Sequence, residues 1–252
     1  MKRALLFIAN ILGYIWRIIP ENLRKGFIVG LLILESRDPN PKKGLVRSIL
    51  LRDKADWIVN ERAIAAEGGR HPKHRLIGYH NFFINHIQDG QKVLDIGCGI
   101  GLVAQSIALA HKNSEVLGID MDEPRLKQAK ASIKLKNLAF VYGDVTKLNF
   151  PGKWDVIVLS NVLEHLEERV DFLKSLVRVT GAKKILIRVP LFEREWQMAM
   201  KKELGIDYRS DSDHKIEHSL DELLSELDNA GLRPLDLNTL WGEIWVECIT
   251  ND

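Results

Sequence analysis

The stretch Val93-Leu-Asp-Ile-Gly-Cys-Gly-Ile-Gly101 constrains this chain more than any other. An apolar run ends in three glycines at alternate positions, which reads as a strand entering a tight turn before a helix. The pattern then repeats. Residues 92–96, 115–119, 139–142, 154–159 and 184–189 read as strands, and 102–111, 124–136 and 168–179 as helices. Such alternation predicts a parallel sheet covered by helices on both faces, and right-handed crossovers make it doubly wound. Near the end the rhythm changes. Ser219-Leu-Asp-Glu222 is a capping box opening a helix to Asn229, and Gly231 stops it. Residues 233–238 and 243–249 are two strands with no helix between them, so an antiparallel hairpin is expected. The fold class is α/β: a doubly wound, seven-stranded, mostly parallel sheet.

An N-terminal helical extension is expected over 1–70, with the sheet domain over 71–252. Residues 4–19 and 22–35 read as helices separated by Pro20, and Pro39-Asn40-Pro41 breaks the chain before a third helix over 44–66, which Gly68-Gly69 ends. A further helix is expected over 81–87. Lys2 and Arg3 precede an apolar stretch in the manner of a signal peptide, yet no small-residue cleavage site follows. Each apolar run is shorter than the ~20 residues a membrane span needs. Residues 1–90 hold 15 Lys/Arg and 8 Asp/Glu, and residues 91–252 hold 21 and 26, so nets of +7 and −5 underlie the overall +2. The basic helices leave three covers open: the sheet domain, on which they could pack as a lid, a homodimer partner, or an anionic membrane surface. The two cysteines, Cys98 and Cys248, make no disulfide framework. A cytoplasmic chain, peripheral on the inner face of the membrane if the helices bind lipid, is the expected location.

The chemistry is expected where the strands end. A glycine-rich turn after the first strand of such a sheet receives a nucleotide. The dinucleotide fingerprint needs another glycine at 102, where this chain has Leu102, so a nicotinamide cofactor is disfavoured. The second strand ends in Gly118-Ile-Asp120, whose carboxylate can accept both ribose hydroxyls, or cap a helix. The third ends in Gly143-Asp144-Val145, and the fourth in Ser160-Asn161-Val-Leu-Glu-His165. All four tips place polar groups on one sheet edge.

Together these motifs make the chain resemble a class I S-adenosylmethionine-dependent methyltransferase of the ubiquinone and menaquinone methyltransferase-like subgroup, with a Rossmann-like sheet of seven strands, the last antiparallel. The resemblance covers roughly 88–250 and implies S-adenosylmethionine as cofactor. It implies that the glycine loop holds the methionine part, that Asp120 binds ribose with Met121 beside the adenine, and that Asp144 meets the adenine amino group. The cofactor site is thus expected to draw on Asp95, Gly97, Cys98, Gly99, Gly101, Asp120, Met121, Gly143, Asp144, Val145 and Asn161. A small-molecule acceptor, lipid or quinone-like among others, is expected. The alternative is a non-catalytic cofactor-binding subunit that activates a partner.

A base is needed only when the acceptor must lose a proton, and His165 is the candidate, its other reading being a pocket-lining residue. Acceptor contacts are sought in His71, His74, Tyr79 and His80 before the first strand, and in Tyr208, His214 and His218 after the fifth. His214 and His218 have the spacing of metal ligands, but no third ligand stands close in sequence and no metal is assigned. Neither the fourth-strand tip nor the basic residues carry a nucleic-acid signature, so no nucleic-acid partner is expected.

Overall fold

The computed structural model describes residues 12–147 and 152–250. The remainder of the expected helix 4–19, residues 4–11, lies outside the described residues. Contacts divide the chain into two compact units, residues 1–72 and 73–252.

In the first unit, residues 12–16 are helical, followed by α1 (Glu21–Ser36) and α2 (Pro41–Ala66). The third helix begins at Pro41 rather than at 44. Asn40 is the reason: its side chain accepts the backbone N–H of Lys42, and Pro41 occupies the first helical position, where its missing N–H costs nothing. Asp38 reinforces the turn by accepting from Asn40 and pairing with Arg47 at 2.9 Å. Gly44 lets α1 and α2 approach closely, since a Cβ there would sit 2.1 Å from the Ser36 carbonyl oxygen.

The second unit contains α3 (Lys73–Leu76), α4 (Tyr79–Asn85), β1 (Lys92–Ile96), α5 (Leu102–Ala110), β2 (Glu115–Asp120), α6 (Glu123–Ser132), β3 (Leu138–Tyr142) and β4 (Val156–Ser160). There follow α7 (Arg169–Thr180), β5 (Lys184–Pro190), α8 (Trp196–Glu203), α9 (Leu220–Asn229), β6 (Leu232–Leu240) and β7 (Glu243–Thr250). One sheet takes all seven strands in the order β3-β2-β1-β4-β5-β7-β6. Strands β1 to β5 pair in parallel, and β7 is antiparallel to both of its neighbours.

The strands are apolar on both faces, as parallel central strands must be. Leu94 and Ile96 face one core with Ile157, Leu159, Ile185 and Ile187, covered by Leu173 of α7 and Leu223 of α9. Val93, Val156, Val158 and Leu186 face the other, covered by Phe83 of α4 and Ile107 of α5. The hairpin closes through Trp241 (φ 56°) and Gly242 (φ 75°), two left-handed residues that match the strand twist.

Two further elements depart from expectation. Helix α6 stops at Ser132 instead of 136: Ile133 turns extended, and the Asn137 side chain donates to the carbonyls of Ala108 and His111, drawing the chain into β3. Helix α8 was not expected; it is eight residues long with only one large apolar side chain, Met198, buried, so its periodic signal is weak.

Candidate active site

The tips of β1 and β4 are adjacent because those strands pair in register from Val93↔Val156 to Ile96↔Leu159. Both lead into residues with left-handed backbone. Gly97, Gly99 and Gly101 have φ of 67°, 56° and 79°, and Asn161 has 57°. The loop is fastened to β2, since Gly97 N and Cys98 N both donate to the Ile119 carbonyl, at 2.8 and 3.1 Å. Gly101 is sterically obligatory, because a Cβ would lie 2.4 Å from Phe140. Around Gly99 a Cβ would meet no protein atom within 4 Å.

Beside this loop opens a cavity of about 460 Å³. Of the residues anticipated from sequence, Asp95, Gly97, Cys98, Gly99, Asn161, His74 and Tyr79 line it. Asp95 Oδ2 and Asn161 Oδ1 are both buried and have no hydrogen-bond partner. Orphaned buried acceptors are rare in folded chains and call for a donor, which a ligand amino group supplies. The open cradle at Gly99 and these two acceptors fit the amino-acid end of S-adenosylmethionine.

Next along the edge stands Asp120, almost buried at the tip of β2. Its Oδ2 accepts the Gly99 N–H at 2.6 Å and its Oδ1 accepts the Asp122 N–H at 2.7 Å. Each oxygen keeps a lone pair for a ribose hydroxyl. The helix-capping role belongs to Asp122, which accepts from Arg125 N. Gly143 N donates to the Asp120 carbonyl at 3.0 Å, which brings the β3 tip alongside. There Asp144 pairs with Lys147 at 3.1 Å, Val145 packs on the core, and Met121 is exposed.

Burial pushes the Asp95 carboxyl up to about 7, against a hydrogen bond from the Ala104 backbone. A carboxyl whose folded value is raised stabilises the fold fully below its unfolded value near 4, and that contribution is lost as pH rises through about 7. In the ligand-free protein, Asp95→Asn should therefore gain several °C of Tm on the wild type between about pH 5 and about pH 8. A Tm difference constant over that range contradicts the burial of an uncompensated carboxyl.

From the lining residues Tyr79 and His74 a polar chain runs to His80 and Ser106. Tyr79 Oη lies 2.5 Å from His74 Nδ1, His74 Nδ1 lies 3.2 Å from His80 Nε2, and His80 Nδ1 lies 2.7 Å from Ser106 Oγ. Burial lowers His80 to about 4, so it stays neutral. The Arg188 guanidinium stacks 3.8 Å over the Tyr79 ring and is held by Glu243 and Ser160. Burial raises the Tyr79 phenol to about 12.

Among the polar lining residues, Lys73, Arg125 and Arg188 were not anticipated, and Ser160 was read only as part of the fourth strand's polar tip. Only Arg188 carried a signal, a cation inside the otherwise apolar strand β5.

The remaining anticipated residues stand outside the cavity lining. His71 belongs to the first unit and contacts Asn60 at 2.9 Å. His165 Nδ1 lies 3.1 Å from an Asp213 oxygen, and its ring stands edge-on to His214. Burial lowers the His165 pKa, with His214 adding to that and Asp213 opposing it. Tyr208 packs on Phe192. His214 pairs with Glu217 at 2.9 Å, and His218 is fully buried against Glu226, which Arg169 also grips. The i, i+4 pair His214 and His218 thus splits between two carboxylates. One donor atom each from Glu164, His165 and His214, by contrast, lie within 4.8 Å of one another, a spacing that a divalent cation could bridge. Glu164 is fully buried, neither carboxylate oxygen has a partner, and burial pushes its carboxyl up to about 7.

Comparison with known proteins agrees with this geometry. Residues 93–182 match the family model described as a methyltransferase domain. The chain is 34% identical over 93 residues to (S)-tetrahydroprotoberberine N-methyltransferase of Eschscholzia californica, covering 36% of this chain and 27% of that protein. It is 27% identical over 185 residues to ubiquinone biosynthesis O-methyltransferase of Proteus mirabilis, covering 66% and 72%. Several such relatives are spanned over only about a quarter to a third of their own length. In fold, the chain is similar to magnesium protoporphyrin IX methyltransferase from Synechocystis PCC 6803, with a TM-score of 0.52 and 15% identity, over 71% of this chain and 79% of that one. The glycine loop and the four polar strand tips all fall within residues 93–182, which match the methyltransferase domain, and the second unit is similar in fold to solved S-adenosylmethionine-dependent methyltransferases.

Proposed function

We propose that this chain transfers the methyl group of S-adenosylmethionine to a small-molecule acceptor of lipid or quinone-like character. The observation that carries the reading is the pair of buried, unpartnered acceptors, Asp95 Oδ2 and Asn161 Oδ1, facing a cavity walled by an open glycine loop. When bound, the cofactor supplies a methyl group on a sulfonium, activated for in-line displacement. The chain's own residues do the rest. Asp95, Gly97, Gly99 and Asn161 hold the amino-acid end, and Asp120 fixes the ribose. Holding the acceptor in line is worth about 7–11 kcal/mol of the barrier. Ser160, Asn161 and Tyr79 line the cavity that would take the acceptor, and Arg188 joins two of them, bonded to Ser160 and stacked on Tyr79.

An acceptor hydroxyl gives its lone pair to the methyl carbon and its proton to a base. Within the cavity His74 is placed for that step, with Tyr79 2.5 Å away to orient its ring. His165 is the second candidate; its Nδ1 contacts Asp213, and it is not among the residues lining the cavity. Incubation with methyl-labelled cofactor and separated lipid and aqueous cell extracts tests the proposal. Label should enter a lipid-soluble product, and His74→Ala should slow its formation by about 10²-fold with cofactor affinity retained. Label confined to the aqueous fraction overturns the acceptor class. Label in neither fraction, despite cofactor binding, favours a non-catalytic subunit.

A further inference from the structure

Helix α1 has no buried residue. Its stretch 27–34 reads Phe-Ile-Val-Gly-Leu-Leu-Ile-Leu, and every large side chain in it is exposed, from 46% at Ile28 to 70% at Leu34. At 100° per residue these positions circle the whole helix. An apolar stretch exposed right round its helix, with Phe27 against Trp16 and the C-terminal end against α2 as its contacts, is a core helix without a core, or one whose solvent is not water. Residues 12–19 continue the theme, with Ile18 81% and Tyr14 70% exposed. The second unit differs: its exposed large apolar side chains form no such continuous run, with Leu109, Trp196 and Leu235 on three different elements.

Charge indicates what covers the helix. Residues 1–72 hold 13 Lys/Arg and 7 Asp/Glu, a net of +6, while residues 73–252 hold 23 and 27, a net of −4. Three cations, Arg17, Arg24 and Lys25, lie in the connection between the two apolar runs and the first turn of α1. Tyr14 and Trp57, both exposed, are the amphipathic ring types that settle at a membrane interface. A second copy of the chain fits less well. A twofold pairing covers one face of α1 and leaves the others bare, and it sets two net-positive segments against each other. Helix α1 has 16 residues, and among the described residues no helix is long and apolar enough to cross a bilayer.

We propose that residues 12–34 form an in-plane anchor for an anionic phospholipid bilayer. The apolar turns of α1 sit in the boundary between headgroups and acyl chains, and Arg17, Arg24 and Lys25 engage lipid phosphates. This reading is independent of the methyl-transfer reaction.

The test is flotation of the full chain with vesicles of phosphatidylcholine, alone or with phosphatidylglycerol. Wild type should float with the anionic vesicles, less with neutral ones, and less in high salt. The triple variant Phe27→Glu, Leu31→Glu, Leu34→Glu alters only exposed side chains and should cut partitioning by about tenfold or more. Arg24→Glu with Lys25→Glu should lower binding to anionic vesicles and leave the weak neutral binding unchanged. Leu34→Glu alone, at the most exposed position of α1, serves if the triple variant folds poorly, and S-adenosylmethionine binding reports that the second unit is intact. Equal flotation of wild type and these α1 variants overturns the proposal. So does a wild type that stays with the soluble fraction and elutes as a dimer which Leu34→Glu dissociates, because then a second copy is the cover.

Discussion

Asp120→Ala should weaken S-adenosylmethionine binding by about 10²-fold or more, measured by titration calorimetry. The carboxylate does two jobs at once. It accepts the backbone N–H groups of Gly99 and Asp122, so it holds the glycine loop against the end of β2. Under the proposed function its remaining lone pairs accept from the ribose hydroxyls. A hydrogen bond to a charged group contributes about 1.5–3 kcal/mol. Two lost ribose bonds, with a loosened loop besides, therefore exceed about 3 kcal/mol, or two orders of magnitude in affinity. Asp122→Ala is the control. Its side chain caps α6 by accepting from Arg125 N, so its loss should cost about 1 kcal/mol of stability and leave affinity nearly unchanged. Equal effects of the two variants on affinity would mean that the ribose assignment is wrong.

Gly101→Ala and Gly99→Ala should fail in different ways, although both glycines have positive φ. At Gly101 an added Cβ meets Phe140 at 2.4 Å and Ile133 at 3.1 Å, both buried in the core beneath the loop. Neither can retreat without opening that core, and the left-handed backbone adds its own strain. A loss of at least about 3 kcal/mol in chemical denaturation is expected, in the range of overpacked cores plus about 1 kcal/mol for the dihedral. At Gly99 the same methyl group meets no protein atom. Stability should fall by only about 1 kcal/mol, while cofactor affinity falls severely, because the methyl group occupies space on the ligand's side of the loop. If Gly99→Ala binds normally, the open face of the loop is not the cofactor's seat.

What the sequence made legible was local. The glycine loop, Asp120 and the β3 and β4 tips lie within a few residues of strand ends, so knowing the strands placed them. The capping box at Ser219 and Glu222 was likewise visible, since its hydrogen bonds span three residues. What stayed hidden depended on pairing across long separations. Arg188 reaches the cavity because β4 and β5 pair Ser160 with Arg188, and it stacks on Tyr79 from another element altogether. Glu164 and His214 meet because the backbone of Lys215 bonds to the Glu164 carbonyl, joining segments fifty residues apart. His165, the candidate base from its place after β4, sits in the turn over 163–165, contacts Asp213 and is not among the cavity's lining residues. The basic, apolar character of the first unit was plain in composition; that α1 buries nothing was not, because periodicity alone cannot distinguish a covered helix from a bare one.

The most direct measurement is a crystal structure of the chain with S-adenosylhomocysteine, which carries every recognition group of the cofactor without the reactive methyl. The account predicts ribose hydroxyls on Asp120, the amino group on Asp95 Oδ2 or Asn161 Oδ1, and backbone of Gly97 to Gly99 against the amino-acid end. A ligand that leaves Asp95 and Asn161 unpartnered, or that binds away from the β1 and β4 tips, contradicts it.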